Sequence, residues 1–348
     1  MTSLTKVAIT TRKIIRYSIY LVIFLIAFRI VWDVSIGVYR RLFPKPPPAP
    51  TVLFGKLPPL PFPQKNAPKF EYKVETVEGT LPTLPTQAKV YFMPKTSASL
   101  LSLENAKNTS ALLGFRSNSE AVSQTVYKFT HPRASATLEM NIVTGVFSVS
   151  FDLKSDPSLL ESQAPASEIA ASQVRSFLSA ANLLPKDLTG PVTHEFLKVE
   201  SQNLVAAVSL SEASLVKINL FRKAIGDLPS LTPNPSEANI WFIVSGSRTR
   251  DKQIIAGEYH YFPVDEGQSA TYPIKTAQQA LDELAAGGGF FASTGLNQEN
   301  QTVVIRKVYL GYFDAGTYTN FYQPIIVFVG DNGFTAYVPA VTSDYYGE

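Results

Sequence analysis

Three histidines, His131, His194 and His260, and 28 acidic residues make up the acid–base and metal-binding material of this 348-residue chain, which has no cysteine. Without a thiol, disulfides, thiolate zinc sites, iron–sulfur clusters and cysteine nucleophiles are excluded. No HExxH or HxH spacing occurs. His194 and His260 fall on expected strands and His131 precedes Pro132 at a strand end, so each is read as a hydrogen-bonded or surface residue. Ser245-Gly246-Ser247 lacks the small-residue frame of a nucleophile elbow. Gly287-Gly288-Gly289 ends an expected helix, whereas a dinucleotide loop must open one. Asp152 with Asp156, or Asp265 with Glu266, could hold a calcium ion at a loop, but neither pair has an established ligand spacing. The expectation is a protein without catalytic, cofactor-binding or metal-ligating residues.

One cluster stands out. Residues 309–346 hold eleven aromatics, where the chain average of 11% gives about four. Aromatics in strands fill cores and pair across neighbours. Tyrosine also offers apolar area with a polar tip, which suits a binding face. Within an expected strand 318–329, Tyr318, Asn320, Tyr322 and Pro324 share one parity, and Phe321, Ile325, Val327 and Val329 share the other. The second set is apolar and should face a helix. The first mixes tyrosine with amide and proline and should face solvent or a partner. Pro324 cannot donate to a ladder, which implies an edge or a bulge. Tyr345 and Tyr346, beyond the last expected strand, join this candidate partner-binding face.

The elements that would carry these residues follow from periodicity. Helices are expected at 99–113, 167–183 and 276–286. The last opens on a Thr276…Gln279 capping box and stops at three glycines. Strands are expected at 69–77, 89–93, 124–130, 136–142 and 146–153, then at 192–199, 203–210, 215–222, 239–245 and 253–264. A final group covers 302–313, 318–329 and 334–341. Val143-Thr144-Gly145 and Gly330-Asp331-Asn332-Gly333 read as hairpin turns. A helix followed by antiparallel strands thus occurs three times, which argues for an α+β class. The expected units are 69–160, 161–270 and an aromatic-rich 271–348.

Ahead of them, Ile14–Ile36 reads as a transmembrane helix. Residues 17–28 carry no charge, and 23 helical residues extend about 34 Å against about 30 Å of hydrocarbon. Arg16 and Arg29 near its ends can reach the headgroups, and Tyr17, Tyr20 and Trp32 suit the interfacial belts. No small-x-small cleavage site follows, which favours an uncleaved span over a signal peptide. Residues 1–13 form a short tail. Lys6, Arg12, Lys13 and Arg16 precede the uncharged core and Arg40, Arg41 and Lys45 follow it, so the positive-inside rule leans by one charge to a cytoplasmic N-terminus. Ten prolines in 44–68 make residues 37–68 an expected semi-rigid stalk.

Of the 31 Lys/Arg residues, eight lie in 1–45 against one acid, Asp33. That leaves 23 basic and 27 acidic residues in the remainder, a net of −4. A body of that sign argues against a nucleic-acid partner.

The segments LVKINLFRKAIGDLPS, IIAGEYHYFPV, TYPIKTAQQALDELAAGG, VVIRKVYLGYFD, FYQPIIVFVG and AYVPAV occur in that order. Their order resembles the extracytoplasmic part of the membrane-anchored YycI/YycH-type regulators and the related PepSY-like modules over residues 165–342. The whole chain, with its anchor and its FGKLPPLPFP segment, also resembles uncharacterised single-span proteins of small-genome bacteria. The resemblance implies a non-catalytic, envelope-facing regulatory or binding domain.

Together these readings give an expectation of a single-pass cell-membrane protein with its body outside. It would have a regulatory or scaffolding role through contacts with a membrane or envelope protein. An envelope-polymer hydrolase and a passive component of a surface apparatus are the alternatives.

Overall fold

The computed structural model describes residues 3–42, 48–64, 68–201 and 203–347. The side chains of Lys6, Arg40, Arg41 and Lys45, counted in the charge argument, lie outside what it describes, as do residues 43–47 and 65–67 of the expected stalk.

The first helix, α1, runs Ser3–Leu42. It is longer than the expected 14–36, because no proline interrupts the flanks before Pro44 and Gly37 weakens a helix without ending it. Its apolar stretch, Thr11–Tyr39, has mean hydropathy 2.2 and no buried residues. That is about 44 Å of helix, long and apolar enough to cross a membrane.

Residues Pro50–Glu348 form one unit, built on an α+β plan. The helix α2 (Ser102–Leu112) and the helix α3 (Ser167–Ala180) pack on one face of a nine-stranded sheet. Its strands lie in the order Ser119–Ala121, Val126–Thr130, Ala136–Asn141, Phe147–Phe151, Ile254–Tyr259, Ile240–Ser245, Leu215–Leu220, Val192–Glu200 and Asn203–Ala206. Every neighbour is antiparallel.

This sheet corrects the expected unit boundary at 160. Phe147–Phe151 pairs directly with Ile254–Tyr259, so strands assigned to separate units share one ladder. Gly257 sits at this junction, where a Cβ would lie 2.1 Å from the Phe242 ring. On α3 the buried residues are Ala170, Ala171, Val174 and Leu178, whereas Ile169 is 56% exposed. The two alanines let the helix approach the sheet closely, which turns Ile169 outward.

A second sheet runs Glu71–Val74, Thr302–Phe313, Pro324–Gly330, Thr335–Pro339 and Phe290–Ser293, with Ser230–Leu231 added on Thr302–Phe313. The helix α4 (Ala277–Ala285) covers one face through Ala277, Ala280 and Leu284. The expected capping box is present: the Gln279 amide donates to Thr276 Oγ1 at 3.2 Å, and the Thr276 amide donates to Gln279 Oε1 at 2.9 Å.

The expected strand 318–329 is split. Phe321–Tyr322 pairs with Gln87–Phe92 in a three-stranded sheet completed by Asp265–Pro273. Pro324 then opens a strand of the second sheet, a position where its missing N–H costs little. The parity expectation is reversed, because Ile326 and Phe328 face α4 while Ile325 and Val327 face the other way. Both faces of this strand are buried, so alternation carries no information about which side meets the helix.

What covers the second face is the proline-rich segment. The expected stalk ends early, and residues 50–63 lie along the body as a strap. Leu57 is fully buried and Leu60 nearly so, and Phe62 stacks on Phe290 and meets Phe313 edge-on. The Leu57 amide donates to Tyr345 O at 2.8 Å, the Gly347 amide donates to Leu57 O at 3.0 Å, and Gln323 Nε2 donates to Pro58 O at 2.9 Å. Proline removes donors but leaves carbonyls and neighbouring apolar side chains free to dock.

Candidate ligand pocket

The tertiary structure does not assemble the expected tyrosine face. Tyr322 is 1% exposed and stacks on Tyr312 with ring centroids 5.2 Å apart, and Pro324 is also buried. Tyr318 is half-buried, with its hydroxyl 3.2 Å from Met93 O and 3.0 Å from Asn320 Oδ1. Tyr345 lies edge-on to Tyr272, and Tyr346 accepts the Leu60 amide on its hydroxyl at 2.8 Å. Of the six residues only Asn320 is exposed. Tyr91, Met93, Phe262 and Tyr312 enclose Tyr322, and the strap takes up the Tyr346 hydroxyl, so the area left to a partner is filled from within the chain.

Tyr322 instead joins a buried polar seam. The Arg222 guanidinium lies over the Tyr261 ring at 4.5 Å, with Nε 3.3 Å from Asp187 Oδ2 and 3.7 Å from Asp314 Oδ2. Its Nη2 donates to Phe262 O, and Tyr261 donates to Asp187 Oδ1 at 2.9 Å. Burial pushes the Asp314 carboxyl above its ordinary range, against the opposing pull of Arg222. Only about 10 Å³ is open beside this cluster, room for about one water.

A cavity of about 250 Å³ lies elsewhere, between the C-terminal ends of α2 and α3 and the large sheet. Topology explains its polar rim. Strands Ala136–Asn141 and Ile254–Tyr259 run the same way on either side of Phe147–Phe151. The loops that precede them, carrying His131 and Arg133 in one and Arg250 and Asp251 in the other, therefore meet at one end of the sheet. Leu113, Phe115, Val149 and Phe177 supply apolar walls.

His131 is fixed in this rim. The backbone amides of Arg133 and Ala134 donate to its Nδ1 at 3.2 and 3.0 Å. With Nδ1 accepting, the neutral ring carries its proton on Nε2, which lies 3.9 Å from Asp251 Oδ1. Phe115 meets the ring edge-on at 5.5 Å. Burial lowers the His131 pKa, and Asp251 only partly offsets this. Asp251 is engaged by Arg133, 2.7 Å from Nη2 to Oδ2.

Sequence reasoning weighed His131 and read it as a hydrogen-bonded or surface residue, and it did not single out Arg133, Arg250 or Asp251. The legible signal was local: a His-Pro-Arg turn can bring two amides onto a histidine nitrogen. Its pairing with a loop near residue 251 follows only from strand order. The carboxylates considered for calcium are used otherwise. Asp156 pairs with Lys252, Asp152 Oδ1 accepts the Lys154 amide, and Asp265 Oδ1 accepts the Gly267 amide. Among the described residues no group of three or more histidines and carboxylates could hold a metal ion.

No family model matches this chain, and no curated protein matches it. Among solved structures, an uncharacterised protein from Eubacterium rectale aligns over 76% of this chain and 85% of its own, at 10% identity and a TM-score of 0.38.

Proposed function

We propose that this chain is a single-pass membrane protein whose body lies outside the cytoplasm and works by binding, in a regulatory or scaffolding role through protein contacts. The observation that carries the reading is the joining of a wholly unburied apolar helix, Thr11–Tyr39, to one folded unit that begins at Pro50. The basic residues ahead of the span support a cytoplasmic N-terminus. The resemblance to YycI/YycH-type and PepSY-like regulators is part of the same proposal.

The geometry of the pocket favours binding over hydrolysis. A general base needs a free lone pair, and the one on His131 Nδ1 is taken by two amides. The lining contains no serine, threonine, lysine or tyrosine nucleophile beside it.

Crosslinking in native membranes followed by mass spectrometry tests the reading, together with protease added to intact cells. Recovery of a membrane or envelope protein, with digestion of the body from outside, supports it. Recovery of a polymer fragment turned over by the protein would replace it with the hydrolase alternative.

A further inference from the structure

Hydrogen-bond supply and demand in the 250 Å³ cavity are unequal. His131, whose side chain is 6% exposed, presents an Nε2–H whose nearest carboxylate oxygen is 3.9 Å away, too far for a hydrogen bond. Arg250, on the neighbouring loop, contributes a guanidinium with no ion pair or hydrogen bond of its side chain among the described residues. Arg133 brings a third donor group, engaged on one side by Asp251. The one carboxylate of the rim is thus already in use. At the ends of the adjoining helices, Ala111 O and Ser110 O take the amides of Gly114 and Phe115, and Leu178 O takes those of Ala181 and Leu183.

The side-chain donors around the cavity outnumber its one carboxylate, an arrangement that suits an acceptor with two oxygens. A guanidinium recognises a carboxylate through its parallel N–H groups, and a buried neutral imidazole N–H adds one more donor. The floor is apolar, made by Leu113, Phe115, Phe177 and Ile254. The volume lies below the ~300–1000 Å³ of sites for drug-sized molecules, which limits the occupant to one compact group.

We propose that this pocket binds a carboxylate carried on a small apolar body, with the oxygens on Arg250 and His131 Nε2 and the body against the phenylalanines. The proposal rests on the binding reading above and names the chemistry of its site. Such a group is presented by the C-terminal residue of a peptide with an apolar last side chain, or by a free short-chain acid.

The test uses the full chain in nanodiscs and three probes: N-acetyl-leucine, 4-methylpentanoate and N-acetyl-leucinamide. Calorimetry is expected to show binding of at least one acid and none of the uncharged amide. N-acetyl-leucine binding more tightly than 4-methylpentanoate identifies a peptide terminus as the source, and the reverse order a free acid. Arg250→Gln, on an exposed turn, should weaken acid binding tenfold or more with an unchanged melting temperature. The His131 ring ¹⁵N signals should shift on acid addition while keeping the Nε2–H tautomer. Equal binding of acid and amide, no binding of either acid, or an Arg250→Gln protein that binds normally would overturn the assignment. The anchored-binding reading, tested by membrane crosslinking, would survive that result.

Discussion

Arg222 holds its Nε 3.7 Å from Asp314 Oδ2, joining the end of a large-sheet strand to the residue that follows the longest strand of the second sheet. The contact is almost dry, with the Arg222 side chain 5% exposed. Removing one partner of a buried pair leaves an uncompensated charge and costs about 3–5 kcal/mol. Arg222→Ala should show a loss of that size in urea denaturation. Arg222→Met, which keeps the packing, still strands Asp187 and Asp314 and should lose nearly as much. Arg222→Met combined with Asp314→Asn and Asp187→Asn should recover a large part of it. A near-neutral Arg222→Ala would show that the seam does not hold the two sheets together.

Tyr322 separates a core role from a binding role. Its ring is fully enclosed, and among the described residues its hydroxyl makes no hydrogen bond of good geometry, with Ser230 and Arg222 only nearby. Tyr322→Ala should cost about 3–5 kcal/mol. Tyr322→Phe removes an unsatisfied buried hydroxyl and should be neutral or slightly stabilising. A stable Tyr322→Ala protein in thermal unfolding would return this residue to the partner-binding face expected from strand parity.

The strap carries a prediction about where the body begins. Leu60 and Phe62 cover Phe290, Phe313, Ile325 and Val327, and Leu57 packs with Val90, Tyr272 and Val341. A chain starting at Ala49 should be soluble and fold cooperatively. One starting at Pro68 exposes that sheet face and should aggregate or melt at markedly lower temperature. In the longer chain, Leu57→Ala should cost about 2–5 kcal/mol. Equal melting temperatures for the two chains would make the strap dispensable.

His131 gives a pH dependence whose sign follows from its hydrogen bonds. Its pKa is lowered in the folded protein, first by burial, while the unfolded value is about 6.5. The folded state therefore binds fewer protons between the two values. The stabilisation is complete above about pH 6.5 and is lost as pH falls through the folded pKa. Denaturation midpoints measured from pH 7.5 down to 5 should fall for the natural chain and change less for His131→Asn, whose Oδ1 can still accept the turn amides. Identical slopes would show that this histidine is not held neutral.

Much of the local structure was legible in the sequence because it depends on near neighbours. The strand Thr302–Phe313 has the expected bounds. The turn at Gly145 forms with φ +75°, and Asn141 Oδ1 accepts the amides of Val143 and Thr144. The capping box at Thr276 and the N-terminal apolar helix are where composition placed them. Each is decided within a few residues by backbone sterics, side-chain-to-backbone bonds or hydropathy.

Only the tertiary structure decided which strands share a ladder, since a strand edge carries no mark of its partner. Val149 beside Gly257, and Tyr72 beside Val303, are pairings across long chain separations. They dissolved the expected three units. The same non-local pairing brought the His131 loop against the Asp251 loop and created the pocket. The tyrosine-rich face misled for a related reason. Alternation along 318–329 assumes one wet side, and a proline-rich segment some 260 residues earlier made the other side dry. Residue types determined what each segment could form, and burial by distant chain determined which faces remained open to bind.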